Sequence, residues 1–295
     1  MRKTTQLRKL LEEPGIIPLP GAYDAISARI IEDAGFKAVA ITGGGISRSK
    51  CMPDAGLMTM TEVLDQTKTI AEAVNVPVIA DCDTGYGNAL NLMRTVREFE
   101  RIGVAALFFE DQETPKKCGK YAGVNLISQE EMVKKIQAAI DARTDPDFVI
   151  IARVMARPIA GLDEMIKRGK AYAKAGADIL KVRGLQSLEE LEQVAKAIPC
   201  PLSLNWPELQ SESFDDLQPF PGINTVKDLE KMGYKMVKFA SDLMRAAMKA
   251  MMEAAAVLKN EGSMKSYAHR QVHFADRERI IGTYKFQELE KKYLI

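Results

Sequence analysis

Short apolar runs alternate along the chain with amphipathic stretches, and the alternation is regular. Apolar runs at 16–19, 38–42, 78–81, 106–110, 148–153, 179–182, 202–204 and 236–239 read as strands. Stretches at 24–34, 61–73, 88–101, 128–143, 163–175, 188–197, 226–232 and 241–258 carry apolar residues at helical spacing. Short runs buried on both faces, each followed by a helix, predict parallel strands joined by right-handed crossovers. Ala34-Gly35, Ile102-Gly103, Ala175-Gly176 and Met232-Gly233 mark helix C-caps, where a positive φ is wanted. The fold class is therefore α/β, a (β/α)8 TIM barrel rather than an open sheet. Residues 1–259 form the barrel, as the catalytic domain, and residues 260–295 are surplus to eight units. That C-terminal helical extension repeats Ile280, Ile281, Tyr284, Phe286 and Leu289 at helical spacing, so it packs on something, a neighbouring subunit being the candidate.

Composition narrows the function. Lys and Arg total 41 against 40 Asp and Glu, a formal net charge of +1, so neither a nucleic-acid nor a membrane-surface partner is implied. The 46% apolar and 27% charged content suits one large core. Cys51, Cys82, Cys118 and Cys200 form no CxxC pair, which argues against a disulfide scaffold or a structural zinc site and fits a reducing compartment. The only histidines, His269 and His273, lie near the C-terminus, so chemistry in the barrel runs without histidine. The N-terminal stretch lacks the apolar core of a signal peptide, and no run of 18 apolar residues exists. A cytoplasmic enzyme is expected.

Barrel enzymes place catalysis at the C-terminal ends of their strands. Those ends carry Thr42-Gly43-Gly44-Gly45, Asp81-Cys82-Asp83-Thr84-Gly85-Tyr86-Gly87, Glu110-Asp111, Arg153, Lys181-Val182-Arg183 and Asn205. Asp81 and Asp83, two apart on an extended segment, are expected to point the same way. With Glu110 from the next strand they make a hard oxygen cage, for which Mg²⁺ is the natural ion and Mn²⁺ a substitute. Solvated turn aspartates are the plainer alternative. The triple glycine lets backbone N–H groups approach an anion, or is simply a turn. Residues 112–126 form a long loop of the kind that serves barrels as a lid. In it Cys118 sits among Lys116, Lys117 and Lys120, a cationic setting that makes its sulfur reactive or, once substrate carboxylates arrive, proton-donating. Arg153 can clamp a carboxylate or phosphate, or pair internally with Glu110 or Asp83. Lys181 supports a rival chemistry, a Schiff base on a desolvated amine.

At these residues the chain resembles the isocitrate lyase/phosphoenolpyruvate mutase superfamily over nearly its whole length. The segments that carry the likeness are PGAYDAISARIIEDAGF (20–36), TGGG (42–45), PDAG (53–56), DCDTGYGN (81–88), EDQ (110–112), KKCG (116–119) and DPDFVIIAR (145–153). The resemblance implies a Mg²⁺-dependent enzyme acting beside a 2-oxo acid or its enolate, on a small-molecule carboxylate. Members cleave C–C bonds of methylisocitrate, isocitrate or dimethylmalate, cleave oxaloacetate, or act on the P–C bond of phosphonopyruvate, as the carboxyvinyl-carboxyphosphonate phosphorylmutases resemble. By position it implies metal binding by Asp81 and Asp83, with Glu110 and Asp54 acting through water. It implies carboxylate binding by Thr42, Gly43 and Gly44, and substrate contacts from Gly119, Lys120, Arg183, Asn205 and Arg245. It implies Cys118 as general acid/base, with Arg153 and Lys116 beside it in the catalytic set. It also implies a last helix exchanged between subunits of a homo-oligomer, a tetramer built as a dimer of swapped dimers.

Three positions depart from the pattern. Phe108 and Lys120 stand where the lyases carry histidine, and Arg183 where tricarboxylate lyases carry Glu and mutases His. The added cations imply a substrate with more negative charge or a different anionic arm. ARVMARPIAGLDE (152–164) is closer to the phosphonopyruvate branch, while the loop cysteine favours C–C chemistry. The expectation is a C–C lyase acting on a small 2-hydroxy or 2-oxo polycarboxylate. The alternatives are a phosphoenolpyruvate mutase or phosphonopyruvate hydrolase, a Schiff-base aldolase on Lys181, and a barrel that binds a metabolite without turning it over.

Overall fold

The computed structural model describes residues 1–118, 123–206, 208–209 and 218–294, with backbone alone at 208–209 and 218–219. Gly119 and Lys120 lie outside the described residues. Eight parallel strands close into a barrel in the order β1-β10-β7-β6-β5-β4-β3-β2. They are β1 (Ile17–Ala22), β2 (Val39–Ile41), β3 (Val78–Asp81), β4 (Ala106–Glu110), β5 (Val149–Val154), β6 (Ile179–Val182), β7 (Leu202–Asn205) and β10 (Tyr234–Phe239). The short pair β8 (Glu208–Leu209) and β9 (Gln218–Pro219) lies apart from the barrel, joined antiparallel.

The residues sort into two apolar bodies by strand parity. Inward positions such as Ile17, Leu19, Ile79, Phe108, Ile151, Ile179 and Met236 fill the barrel. Outward positions such as Ile41, Ala80, Leu107, Ile150, Leu180 and Val237 pack under the helices. The helices that cover them are α2 (Ala25–Asp33), α3 (Gly43–Ser49), α4 (Met60–Ala73), α5 (Ala89–Arg101), α6 (Gln129–Ala142), α7 (Arg157–Lys174), α8 (Leu188–Ala197) and α9 (Val226–Lys231). Their starts are written in side chains: Asp24, Thr59, Asn88 and Ser128 each accept a backbone N–H of the first turn. α7 begins earlier than its periodicity predicts, at Arg157, because a first turn precedes a break at Gly161, whose φ is +88°.

Two features depart from the sequence expectation. A helix α1 (Lys3–Glu12) precedes the barrel and inserts Leu7 into the interior cluster, closing the end opposite the C-terminal strand ends. The triple glycine is the first turn of α3, not a free loop, because Thr42 caps it by accepting the Gly45 N–H at 3.2 Å. Beyond β10, α10 (Asp242–Glu261) buries only Met244, running past residue 259 into the extension. The extension continues with a 3₁₀ turn (Lys265–Arg270), α11 (Phe274–Ile281) and α12 (Thr283–Tyr293). Within the chain α11 lies against α2, where Arg279 pairs with Asp33, and α12 buries no residue. Among the described residues no helix is long and apolar enough to cross a membrane.

Candidate active site

The same parity that fills the barrel builds its charged crown. Two residues beyond Ile79, Phe108, Ile151, Ile179 and Met236 stand Asp81, Glu110, Arg153, Lys181 and Lys238, so all five point inward at the C-terminal end. All five are buried. Opposite charges meet there: Arg153 Nη1 lies 2.7 Å from Glu110 Oε2, and Lys238 Nζ lies 3.4 Å from Asp81 Oδ2. Lys238 also donates to the Ile41 carbonyl at 2.7 Å. Burial alone would raise the Asp81 pKa, but Lys238, Lys116, Lys181 and Arg153 outweigh it and hold the carboxylate well below its usual range.

Loops complete the wall. The loop after β3 turns through left-handed backbone at Asp83 (φ +47°), Gly85 (+84°), Tyr86 (+61°) and Gly87 (+141°), which is why glycine occupies two of these places. Lys135 of α6, 1% exposed, fastens this turn by donating to the Thr84 and Gly87 carbonyls at 2.7 Å each. The loop after β4 returns over the mouth: Gln112 donates to Glu110 Oε1 at 2.8 Å and to the Lys117 carbonyl at 3.0 Å, and its own Oε1 accepts the Lys117 N–H. Cys118 is held by its N–H on the Asp54 carbonyl at 3.0 Å. Lys116 bridges two loops, with Nζ 2.5 Å from Asp54 Oδ1 and 2.9 Å from Asp83 Oδ1. Burial pushes the Asp83 carboxyl up to about 7 against the pull of Lys116, and Asp81 adds to the rise.

These elements enclose a cavity of about 430 Å³. Thr42, Gly44, Asp54, Asp81, Glu110, Lys116, Cys118, Arg153, Lys181, Arg183, Asn205 and Arg245 all line it. Two expected members do not. Gly43 spends its N–H on Asp81 Oδ2 at 3.1 Å, and Gly44 alone of the three glycines reaches the cavity. Asp83 does not point with Asp81, because its left-handed backbone breaks the alternation of an extended segment and aims it at Lys116. Sequence reasoning missed Lys238, Gln112, Lys135 and Arg48. A lysine at an inward parity position two beyond Met236 was the available signal for Lys238. Nothing in the local pattern singles out the others. Asp111, beside Glu110, faces outward and accepts from Tyr172 at 2.8 Å and Arg168 at 3.2 Å, tying β4 to α7.

The electrostatic balance decides what the cavity can hold. Eight basic side chains line it, Arg48, Lys116, Lys117, Arg153, Lys181, Arg183, Lys238 and Arg245, against four acidic ones, Asp54, Asp81, Glu110 and Asp242. Arg153 Nε and Asn205 Oδ1 are buried without hydrogen-bond partners among the described residues. The chemistry of such a lining is recognition of an anion bearing several oxygens.

The carboxylates from which the sequence predicts a metal site, Asp81, Asp83 and Glu110, with Asp54 through water, each meet a basic side chain. Among the described residues no three His, Cys, Asp or Glu side chains converge to hold an ion directly, because Lys116 takes Asp54 and Asp83 while Arg153 takes Glu110. The donor set still fits an ion that takes few protein ligands and keeps its waters, which is the habit of Mg²⁺. Asp81 offers Oδ1, which accepts no hydrogen bond among the described residues, and Glu110 and Asp54 line the same cavity.

Known proteins are similar to this chain over nearly its whole length. A family model described as phosphoenolpyruvate phosphomutase matches residues 7–259. A 2,3-dimethylmalate lyase of Eubacterium barkeri is 40% identical over 294 residues, 99% of each chain. A 2-methylisocitrate lyase of Aeropyrum pernix is 38% identical over 282 residues, 96% of this chain and 88% of the relative. The solved structure of a phosphonopyruvate hydrolase in complex with oxalate and Mg²⁺ superposes with a TM-score of 0.87 at 30% identity, covering 100% of both chains.

Proposed function

The chain belongs to the phosphoenolpyruvate phosphomutase family, and we propose that within it the protein is a Mg²⁺-dependent carbon–carbon lyase. Its substrate is a small 2-hydroxy or 2-oxo polycarboxylate, alkylmalate-like or methylisocitrate-like, cleaved to a 2-oxo acid and a carboxylate. The observation that carries this reading is Cys118 at the rim of a cavity whose other walls are Asp81, Arg153 and a surplus of cations. The near-full-length likeness to the 2,3-dimethylmalate lyase supports it.

Asp81 would hold the Mg²⁺, with Glu110 and Asp54, which line the same cavity, acting through its waters. When bound, the ion supplies a Lewis acid that favours the oxyanion of the hydroxy acid. The protein's own groups do the rest. Thr42 and Gly44 hold the 2-oxo-acid carboxylate. As the hydroxyl proton passes to solvent, the C–C bond breaks, its electron pair moves to the neighbouring carbon as an enolate, and solvent later returns a proton to the Cys118 thiolate. Arg153 and Arg183 stabilise the negative charge, and the Cys118 thiol delivers a proton to that carbon. Lys116 acts by positioning: it joins Asp54, whose carbonyl holds the Cys118 N–H, to the loop of Asp83. Gly119 and Lys120 remain expected substrate contacts outside the described residues. Arg183, where the resemblance places Glu or His, favours an extra anionic arm on the substrate.

The test is 2-oxo-acid release from a panel of methylisocitrate, isocitrate, dimethylmalate, other alkylmalates, oxaloacetate and phosphonopyruvate, each with Mg²⁺ and with EDTA. Metal-dependent release from a malate-type compound is expected. A second reading, P–C chemistry, is favoured by the likeness to the phosphonopyruvate hydrolase structure, and release from phosphonopyruvate alone, with phosphate, would establish it.

The four cysteines are free, which supports a place in the reducing cytoplasm. Met251, Met252 and Leu258 of α10 and Tyr284, Phe286 and Leu289 of α12 are exposed, which supports a C-terminal segment exchanged between subunits of a homotetramer. Sedimentation is expected to give a multiple of the 32.6 kDa chain mass, and a monomer would contradict the exchange.

A further inference from the structure

The five charges that crown the barrel interior do not balance. Asp81 is matched by Lys238 and Glu110 by Arg153, which leaves Lys181 as the odd cation. Its side chain is 3% exposed and lines the cavity. Nζ stands 4.1 Å from the centroid of the Phe108 ring, and Lys238 Nζ stands 4.7 Å from the same centroid. Among the described residues the Lys181 amine donates no hydrogen bond and has no carboxylate within 4.0 Å. A cation–π contact offsets only part of what burying an unpaired ammonium costs. Burial, Lys238 and Arg153 together push its pKa well below the usual lysine range, which is the same deficit seen as titration. A lysine so placed lacks an anion.

The barrel order says where that anion would lie. β6, which carries Lys181, and β2, which leads into Thr42 and Gly44, stand four places apart in a ring of eight strands, on opposite walls. Arg183, two residues beyond Lys181 on the same side, also lines the cavity and extends the cationic wall toward the mouth. We propose that Lys181 is an anion-binding residue that takes a second carboxylate of the bound acid, on the wall opposite Thr42 and Gly44. This rests on the reading above, in which Thr42 and Gly44 take the first, and it defines the substrate class further. The acid carries at least two carboxylates set apart by carbon, and a monocarboxylate engages one wall only.

The experiment is calorimetric titration of the Mg²⁺-loaded protein with succinate and, separately, with pyruvate, for the wild type, Lys181→Met and Lys181→Arg. A hydrogen bond to a charged group is worth about 1.5–3 kcal/mol, so Lys181→Met is expected to weaken succinate by about tenfold or more. Pyruvate should change by less than about twofold, and Lys181→Arg should recover most of the succinate affinity. The melting temperature of Lys181→Met is expected to hold or rise, because an unpaired buried charge has been removed. Equal losses for both acids, unchanged succinate binding, or no succinate binding to the wild type would overturn the proposal. So would a borohydride-reduced pyruvate adduct on Lys181, which would make it a covalent carbonyl site. None of these readouts needs turnover, so a silent substrate panel would sink the lyase reading and leave this measurement standing.

Discussion

Cys118→Ser is expected to lower kcat by about 10²-fold or more, the usual loss when a general acid is removed from a proton transfer. Mg²⁺ affinity and the melting temperature should stay near wild type. The reason is local. Cys118 is fixed through its backbone N–H on the Asp54 carbonyl, and the neighbouring Lys117 is pinned by Gln112. Serine can keep both contacts, so the substitution changes the proton donor and little else. Steady-state rates on the substrate found by the panel, beside a metal titration of the same preparation, check it. Unaltered turnover would remove Cys118 from the mechanism.

Asp81→Asn is expected to abolish Mg²⁺ binding and with it turnover, by about 10³-fold or more, since the ion's charge stabilisation is worth several kcal/mol. It should also cost stability. Lys238 loses its carboxylate while remaining 3% exposed, and breaking a buried pair from one side typically costs about 3–5 kcal/mol. The amide can still accept the Gly43 N–H, which keeps the loss at the low end. Adding Lys238→Met removes the stranded charge. The double variant should therefore regain melting temperature without regaining metal binding. Recovery of both, or loss of neither in the single variant, would show that Asp81 is not the metal's ligand.

The barrel was legible because its physics is periodic. Parity sorts Ile79 from Ala80 and Ile151 from Ala152 into interior and outer clusters, and the helices declare their starts in Asp24, Asn88 and Ser128. The site was legible where it rides on that periodicity: Asp81, Glu110, Arg153 and Lys181 end strands and point inward. Lys238 obeys the same rule and needed only the same count from Met236. What periodicity does not encode was missed. Asp83 leaves its expected face because a left-handed residue interrupts the strand direction. The triple glycine becomes helical because the Thr42 side chain caps it. Lys135 and Gln112 act across tens of residues or through a folded-back loop, contacts that exist only once the chain has closed. That Lys116 and Arg153 enter the carboxylate cluster was not legible, because these pairings exist only once the chain has closed.

The most direct test of the central claim is to cleave the malate-type substrate in D2O with Mg²⁺ and weigh the products. A C–C lyase with a protonated enolate should place one solvent deuterium on the carboxylate product and none at the new carbonyl carbon of the 2-oxo acid, and EDTA should stop the reaction. Release of phosphate from phosphonopyruvate with no C–C cleavage of any acid, or cleavage indifferent to EDTA, would contradict it.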